Sequence, residues 1–212
     1  MRECDVTVTL KSITHLENEP LSLLRFEISV GDKKERRTLV ISQQKCLELE
    51  LKKGEISPET FDLIEEEAKK CGAYRRGLGI LGYGANSQKN LTVKLRQRGF
   101  DRESAEYAAE KLKKDGFIDE RSDACRIAEA CLYKLWGERR IVAYLAQKGY
   151  SGEAVDAAKE MMTAVDFSVN CAKLIKKKGI ILPKDKKEAS KCIASLQRYG
   201  YSLSQIYEAF QK

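Results

Sequence analysis

Across the first forty residues apolar and polar positions alternate with the two-residue period of a strand. "CDVTVTLKSI" puts Val6, Val8 and Leu10 on one face, "LSLLRFEISV" runs into "GDKK" as a strand entering a hairpin turn, and "RRTLVI" reads as its return. A small antiparallel sheet is expected. The period then lengthens. Ser42 is placed to cap a short helix through Leu51, Lys52-Lys53-Gly54 to close it, and Ser57-Pro58-Glu59 to open another with Pro in its first turn. Beyond that point nothing reads as a strand longer than a few residues.

The helical remainder repeats itself. "LRQRGFD" at 95–101 aligns with "LAQKGYS" at 145–151 and "LQRYGYS" at 196–202, at offsets of 50 and 51 residues. Leu91 and Leu95 correspond to Ile141 and Leu145; Ala105, Ala108 and Leu112 correspond to Val155, Ala158 and Met162, with Ile206 and Ala209 in the third copy. Spacings of three, four and seven make one helix face on each side of a glycine. Gly99, Gly149 and Gly200 are placed to end a helix in the left-handed conformation, and Phe100, Tyr150 and Tyr201 to make the apolar contact that accompanies such an ending. Asp101, Ser151 and Ser202 then stand where a cap opens the next helix. Each period has room for one further helix, at 73–84, 120–135 and about 166–178. The expected architecture is mainly α: a small β-containing α+β N-terminal domain (1–67), then three tandem three-helix repeats (68–115, 116–165 and 166–212) in an elongated array.

Charge modifies this picture. Net charge is +7, distributed as 12 Lys+Arg against 15 Asp+Glu in residues 1–72, 17 against 13 in 73–165, and 10 against 4 in 166–212. The basic excess therefore lies after residue 72, facing a nucleic acid, an acidic protein surface, or simply solvent. Lys89, Lys94, Arg96, Arg98, Arg139, Arg140 and Lys148 belong to the helices before the corners, and Lys176, Lys177 and Lys178 to "KLIKKKG". Tyr133, Trp136, Tyr144, Tyr150, Tyr199 and Tyr201 interleave with them, suited either to stacking on bases or to packing in a helical bundle.

Catalytic chemistry has little to draw on. His15 is the only histidine, expected at the surface of an N-terminal strand, which argues against Ser-His, Cys-His and mixed Cys/His zinc sites. Seven cysteines, at 4, 46, 71, 125, 131, 171 and 192, form no CxxC pair and read as reduced, mostly buried thiols. "GLGILG" at 77–82 fits the string of a dinucleotide-binding turn but follows a helical segment, so it reads as a glycine-weakened, mobile helix. Asp119, Glu120 and Asp123 read as the acidic first turn of a helix capped by Asp119. No cofactor, metal or enzymatic activity is expected. No run of about 18 apolar residues occurs and "MRECDVTV" lacks the apolar core of a signal peptide, so a cytoplasmic protein without a membrane partner is expected.

"KNLTVKLRQRGFDRESAEYAAEKLKKDGFIDERSDA", followed by "WGERRIVAYLAQKGYS", resembles the RecX family of bacterial recombinase regulators. "AYRRGLGILGYGANSQKNL" is similar to the family's opening helix and turn, and "SKCIASLQRYGYSLSQIYEAF" to its last repeat. The resemblance covers about residues 68–212, and an N-terminal extension with strands also occurs in part of the family. Two arginines usual in the first turn are absent from "GYGANS" at 82–87, and Ser122 stands where Phe is usual. The resemblance implies a monomeric, non-enzymatic regulator of homologous recombination, DNA repair and the SOS response. Such a protein binds the RecA filament, typically inhibits it, and meets single- or double-stranded DNA weakly through basic surfaces. The alternative is a helical DNA-binding protein or transcriptional regulator acting without RecA, with a corner serving as a helix-turn-helix.

Overall fold

A computed structural model describes residues 6–17, 19–31, 33–183 and 185–212; Cys4 and Asp32 of the expected turn lie outside the described residues. The chain forms two compact units. Unit one holds the described residues as far as Gly84 together with Leu91–Phe117, and unit two holds Ala85–Asn90 with Ile118–Lys212.

Unit one begins with the expected hairpin. Strands β1 (Val6–His15), β2 (Leu21–Val30) and β3 (Lys33–Ser42) pair antiparallel, with Val8 opposite Ile28 and Leu24 opposite Leu39. Helix α1 (Gln43–Glu48) is capped by Ser42, whose side chain accepts from the Lys45 N–H. It stops earlier than the expected Leu51, because Glu50 takes a left-handed φ of 47° and the Leu51 N–H returns to the Cys46 carbonyl. Gly54 consequently opens a fourth short strand, β4 (Gly54–Ile56), rather than closing the helix, and the sheet order is β3-β2-β1-β4.

Alternate side chains Val8, Leu10, Leu24, Phe26, Ile28 and Ile41 are buried, forming a core with Phe61 and Ile64 of helix α2 (Pro58–Leu81). The Phe26 and Phe61 rings meet edge to face at 5.2 Å. Ser57 caps α2 with Pro58 in its first turn, but the second helix expected at 73–84 is the same uninterrupted 24-residue helix. No cap divides the two stretches, and Gly77 is what lets α2 approach α4 (Arg102–Lys114): a Cβ there would lie 2.5 Å from Leu112 Cδ1.

Helix α3 (Gln88–Arg96) begins in unit two and ends in unit one. Unit two continues with α5 (Glu120–Tyr133), α6 (Glu138–Gln147), α7 (Glu153–Met162), α8 (Phe167–Lys178), α9 (Lys186–Arg198) and α10 (Leu203–Gln211). Their buried stripes keep the helical period: Ala124, Ala128 and Cys131; Ile141 and Leu145; Cys171 and Leu174; Ile206 and Ala209. Tyr150 and Tyr201 are among the largest fully buried side chains.

The three repeated glycine-aromatic corners end α3, α6 and α9 in the same way, and α4 ends likewise at Gly116-Phe117, where Phe117 donates to the Leu112 carbonyl. Gly99, Gly149 and Gly200 have φ of 91°, 84° and 99°. Phe100, Tyr150 and Tyr201 donate to the carbonyls of Leu95, Leu145 and Leu196, five positions back. The next helix starts differ. Asp101 accepts from the Ser104 N–H at 2.7 Å, and Ser202 forms a reciprocal capping box with Gln205. Ser151, expected as the cap of α7, is not one; Gly152, at φ 53°, holds that position without a side-chain hydrogen bond.

The second and third corners are seated on the beginnings of earlier helices. Ser87 Oγ, just before α3, donates to the Lys148 carbonyl at 2.8 Å and accepts from the Asn90 N–H at 3.1 Å. The start of α6 has no side-chain cap; instead the Gly137 N–H donates to the Tyr199 carbonyl at 2.7 Å and the Arg139 N–H to the Gly200 carbonyl at 3.3 Å. Carbonyls left over at one helix end thus satisfy N–H groups left over at another. The approach leaves no room for a side chain: a Cβ on Gly137 would lie 2.4 Å from the Gly200 carbonyl carbon.

Candidate functional site

The backbone seat of the third corner also brings rings and cations together in unit two. Arg140, in the first turn of α6, lays its guanidinium 3.9 Å from the centre of the Trp136 ring and 5.1 Å from that of Tyr199. Lys178, at the end of α8, holds Nζ 4.5 Å from the Tyr199 centroid. On the other side Trp136 meets Tyr144 edge to face at 5.4 Å, and Lys148 Nζ lies 5.4 Å from the Tyr144 ring. The result is an unbroken row, Lys148, Tyr144, Trp136, Arg140, Tyr199, Lys178, drawn from α6, its flanks and the ends of α8 and α9. A cation on a ring face is favoured by about 0.5–2 kcal/mol.

Trp136, Arg140, Tyr144 and Tyr199 are half-buried, whereas Lys148 and Lys178 are exposed. The stacked inner members are therefore fixed and the outer charges accessible. Lys178 and Arg140 hold the Tyr199 phenol below its ordinary pKa, the hydrogen bond from Lys178 being the larger cause. Among the described residues none of Arg140, Lys148 and Lys178 has a carboxylate partner.

Several cations of unit one, by contrast, are paired. Arg37 lies 2.7 Å from both Glu35 and Glu65, Lys70 3.0 Å from Glu103, and Lys111 3.6 Å from Asp115. A cavity of about 630 Å³ near Cys71, Tyr74 and Tyr107 has its polar groups similarly engaged: Ser42 and Cys71 donate to Glu67, and Tyr74 to Asp115.

Of the residues expected from sequence, Arg140, Lys148 and Lys178 are brought into one row. Arg139 is exposed beside it, and Lys89 is exposed near the second corner. Lys176 and Lys177 extend from α8 without joining the rings. Lys94, Arg96 and Arg98 lie at the end of α3 in unit one, where the helix dipole favours positive charge; Arg98 donates to the Lys94 carbonyl at 3.1 Å. Lys134, not singled out from sequence, holds Nζ 5.8 Å from the Trp136 centroid. Its signal was the "YKLW" interleaving of base and ring. Tyr150 and Tyr201 belong to the core rather than to this surface.

Other chemistry resolves into structure. His15, at the exposed end of β1, does meet a serine, with Nδ1 2.8 Å from Ser22 Oγ, but Ser22 is 0% exposed and out of a substrate's reach. Burial raises the thiols of Cys46 and Cys131, and pushes Cys71 up to about 12 and Cys171 up to about 11, opposite to a reactive thiolate. Asp119 caps α5 by accepting from the Ser122 N–H, and Asp123 pairs with Arg126. The glycine string at 77–82 runs from the end of α2, with no strand before it. Among the described residues no group of three His, Cys, Asp or Glu could hold a metal, and no helix is long and apolar enough to cross a membrane.

Sheet, helices and row together define a class: a mainly helical protein with an N-terminal four-stranded antiparallel sheet and a ring-backed cationic surface. Comparison with known proteins narrows it. The chain is 31% identical over 147 residues to the regulatory protein RecX of Chlorobaculum tepidum, an alignment spanning 68% of this chain and 89% of that one. It is 30% identical over 133 residues to RecX of Xanthomonas campestris pv. campestris, covering 62% and 82% of the two chains. A crystal structure of regulatory protein RecX superposes with a TM-score of 0.72 at 21% identity, over 96% of this chain and 98% of that one. RecX from Lactobacillus salivarius superposes with a TM-score of 0.54 at 18% identity, over 68% and 95%. No family model matches the chain. The chain belongs to the RecX family of regulatory proteins.

Proposed function

We propose that this protein is a non-enzymatic cytoplasmic regulator of RecA that binds as a monomer along the RecA nucleoprotein filament and inhibits recombination and the repair that depends on it. The observation that carries this reading is the row from Lys148 to Lys178, a line of unpaired cations on fixed rings. A phosphate backbone or an acidic protein groove presents anions at intervals to which such a line can be matched, and stacked rings leave the charges little conformational freedom to lose on binding. Membership of the RecX family supports RecA as the partner. In the same reading α2 to α10 form three tandem three-helix units in an elongated array, over 68–115, 116–165 and 166–212, which suits a filament as the object bound.

The test is RecA ATPase activity on single-stranded DNA, titrated with the protein. Inhibition is expected, and K148E/K178E should raise the half-inhibitory concentration about tenfold and flatten its salt dependence. Both side chains are exposed, so the variant should stay folded, its thermal midpoint lowered only by the loss of the two cation–ring contacts. A folded variant with unchanged inhibition overturns the choice of surface. If bare DNA is bound more tightly than RecA-coated DNA, and with sequence preference, a DNA-binding protein acting without RecA replaces this reading.

A further inference from the structure

The run Lys176 to Lys178 is divided between two faces of α8. At 3.6 residues per turn, Lys176 and Lys178 point roughly 200° apart, so Lys178 joins the rings while Lys176 borders something else. That second feature is a groove of about 470 Å³ between α8 and α10, within unit two. Its floor is apolar and half-buried: Val169, Ala172 and Ile175 from α8, Phe210 from α10. Lys173, Lys176 and Lys212 edge it.

The lysines are not equivalent. Lys212 is held in place by Asp166 Oδ2 at 3.0 Å and Ser168 Oγ at 2.6 Å. Lys173 and Lys176 are exposed, stand one helical turn apart, and among the described residues have no carboxylate partner. Like charges at that spacing destabilise a helix, and an external anion between them relieves the repulsion. Phosphates alone would answer the lysines but leave the apolar floor uncovered. A segment carrying apolar side chains and carboxylates on one face answers both.

We infer that the α8–α10 groove is a docking site for an acidic amphipathic peptide segment of a partner protein. Apolar anchors cover Val169, Ala172, Ile175 and Phe210, and carboxylates one turn apart lie against Lys173 and Lys176. This surface is separate from the ring-backed row, and its occupancy does not depend on the reading of that row.

A random-peptide display library selected against the intact protein tests the inference, followed by fluorescence polarisation with a fluorescein-labelled selected peptide. Enriched sequences should place Asp or Glu three or four positions apart around Leu, Ile or Phe. Affinity should fall about tenfold or more in K173E/K176E and in Ala172→Glu, each still folded by circular dichroism, and persist in K148E/K178E. Neutral or basic enriched sequences, undiminished affinity in folded K173E/K176E and Ala172→Glu, or full displacement by oligothymidine would overturn it. Failure of the RecA reading is scored separately, by the ATPase titration.

Discussion

The first and third corners share a helix ending but differ in what surrounds it. Gly99 and Gly200 have nearly the same positive φ, and each is followed by an aromatic residue donating five positions back. Around Gly99 the space for a Cβ is open to 4 Å; around Gly200 the same Cβ would lie 2.5 Å from the Arg140 N. One glycine is required by the turn alone, the other by the turn and by a backbone pressed against it. A motif repeated in sequence can thus serve one local purpose everywhere and a long-range purpose only in some copies.

Substitutions can break that comparison. Gly200→Ala combines a disfavoured backbone with overpacking against another backbone and should cost about 3–5 kcal/mol, read as a fall in the urea midpoint. Gly149→Ala should cost somewhat less, about 2–4 kcal/mol, because its nearest obstacle is Ser87 Oγ at 2.6 Å, a side-chain atom that can move, though at the loss of its bonds to the Lys148 carbonyl and the Asn90 N–H. Gly99→Ala should cost only the backbone term, about 1–2 kcal/mol. Equal losses at Gly99 and Gly200 would show that the seat contributes nothing.

The aromatic partners sharpen the contrast on a smaller scale. Tyr201 donates to the Leu135 carbonyl at 2.8 Å, so Tyr201→Phe should lose about 1 kcal/mol. The buried Tyr150 hydroxyl has no hydrogen-bond partner among the described residues, so Tyr150→Phe should be neutral or slightly stabilising in the same measurement. Burial raises both phenols above their ordinary pKa, Tyr150 to about 12, so neither change should alter stability through ionisation near neutral pH.

The corners were legible because each is a local event: glycine, aromatic and apolar positions recur within a dozen residues and set their own hydrogen bonds. Caps at Asp101, Asp119 and Ser202 were legible for the same reason. Continuity of α2 was hidden by its glycines, which look like breaks until Leu112 is seen against Gly77. Gly152 displaced Ser151 as the start of α7 because a left-handed glycine can turn the chain without a side-chain cap. The cationic row was legible only as composition, because Trp136, Arg140, Tyr199 and Lys178 meet across three helix ends. Seating of corners left a faint trace: a small residue, Ser87 or Gly137, twelve positions before Gly99 and Gly149, with Glu188 twelve before Gly200.

The seats also set an order of events during synthesis. Ser87 reaches the Lys148 carbonyl across 61 residues, and the start of α6 is completed by the carbonyls of Tyr199 and Gly200. At roughly 5–20 residues per second a ribosome needs about 3–12 s to deliver each missing piece. Until then the start of α6 presents unsatisfied N–H groups on a nascent chain, and the Ser87 hydroxyl before α3 lacks its acceptor. These two helix starts are finished from the C-terminal side backward, each waiting for a corner not yet translated.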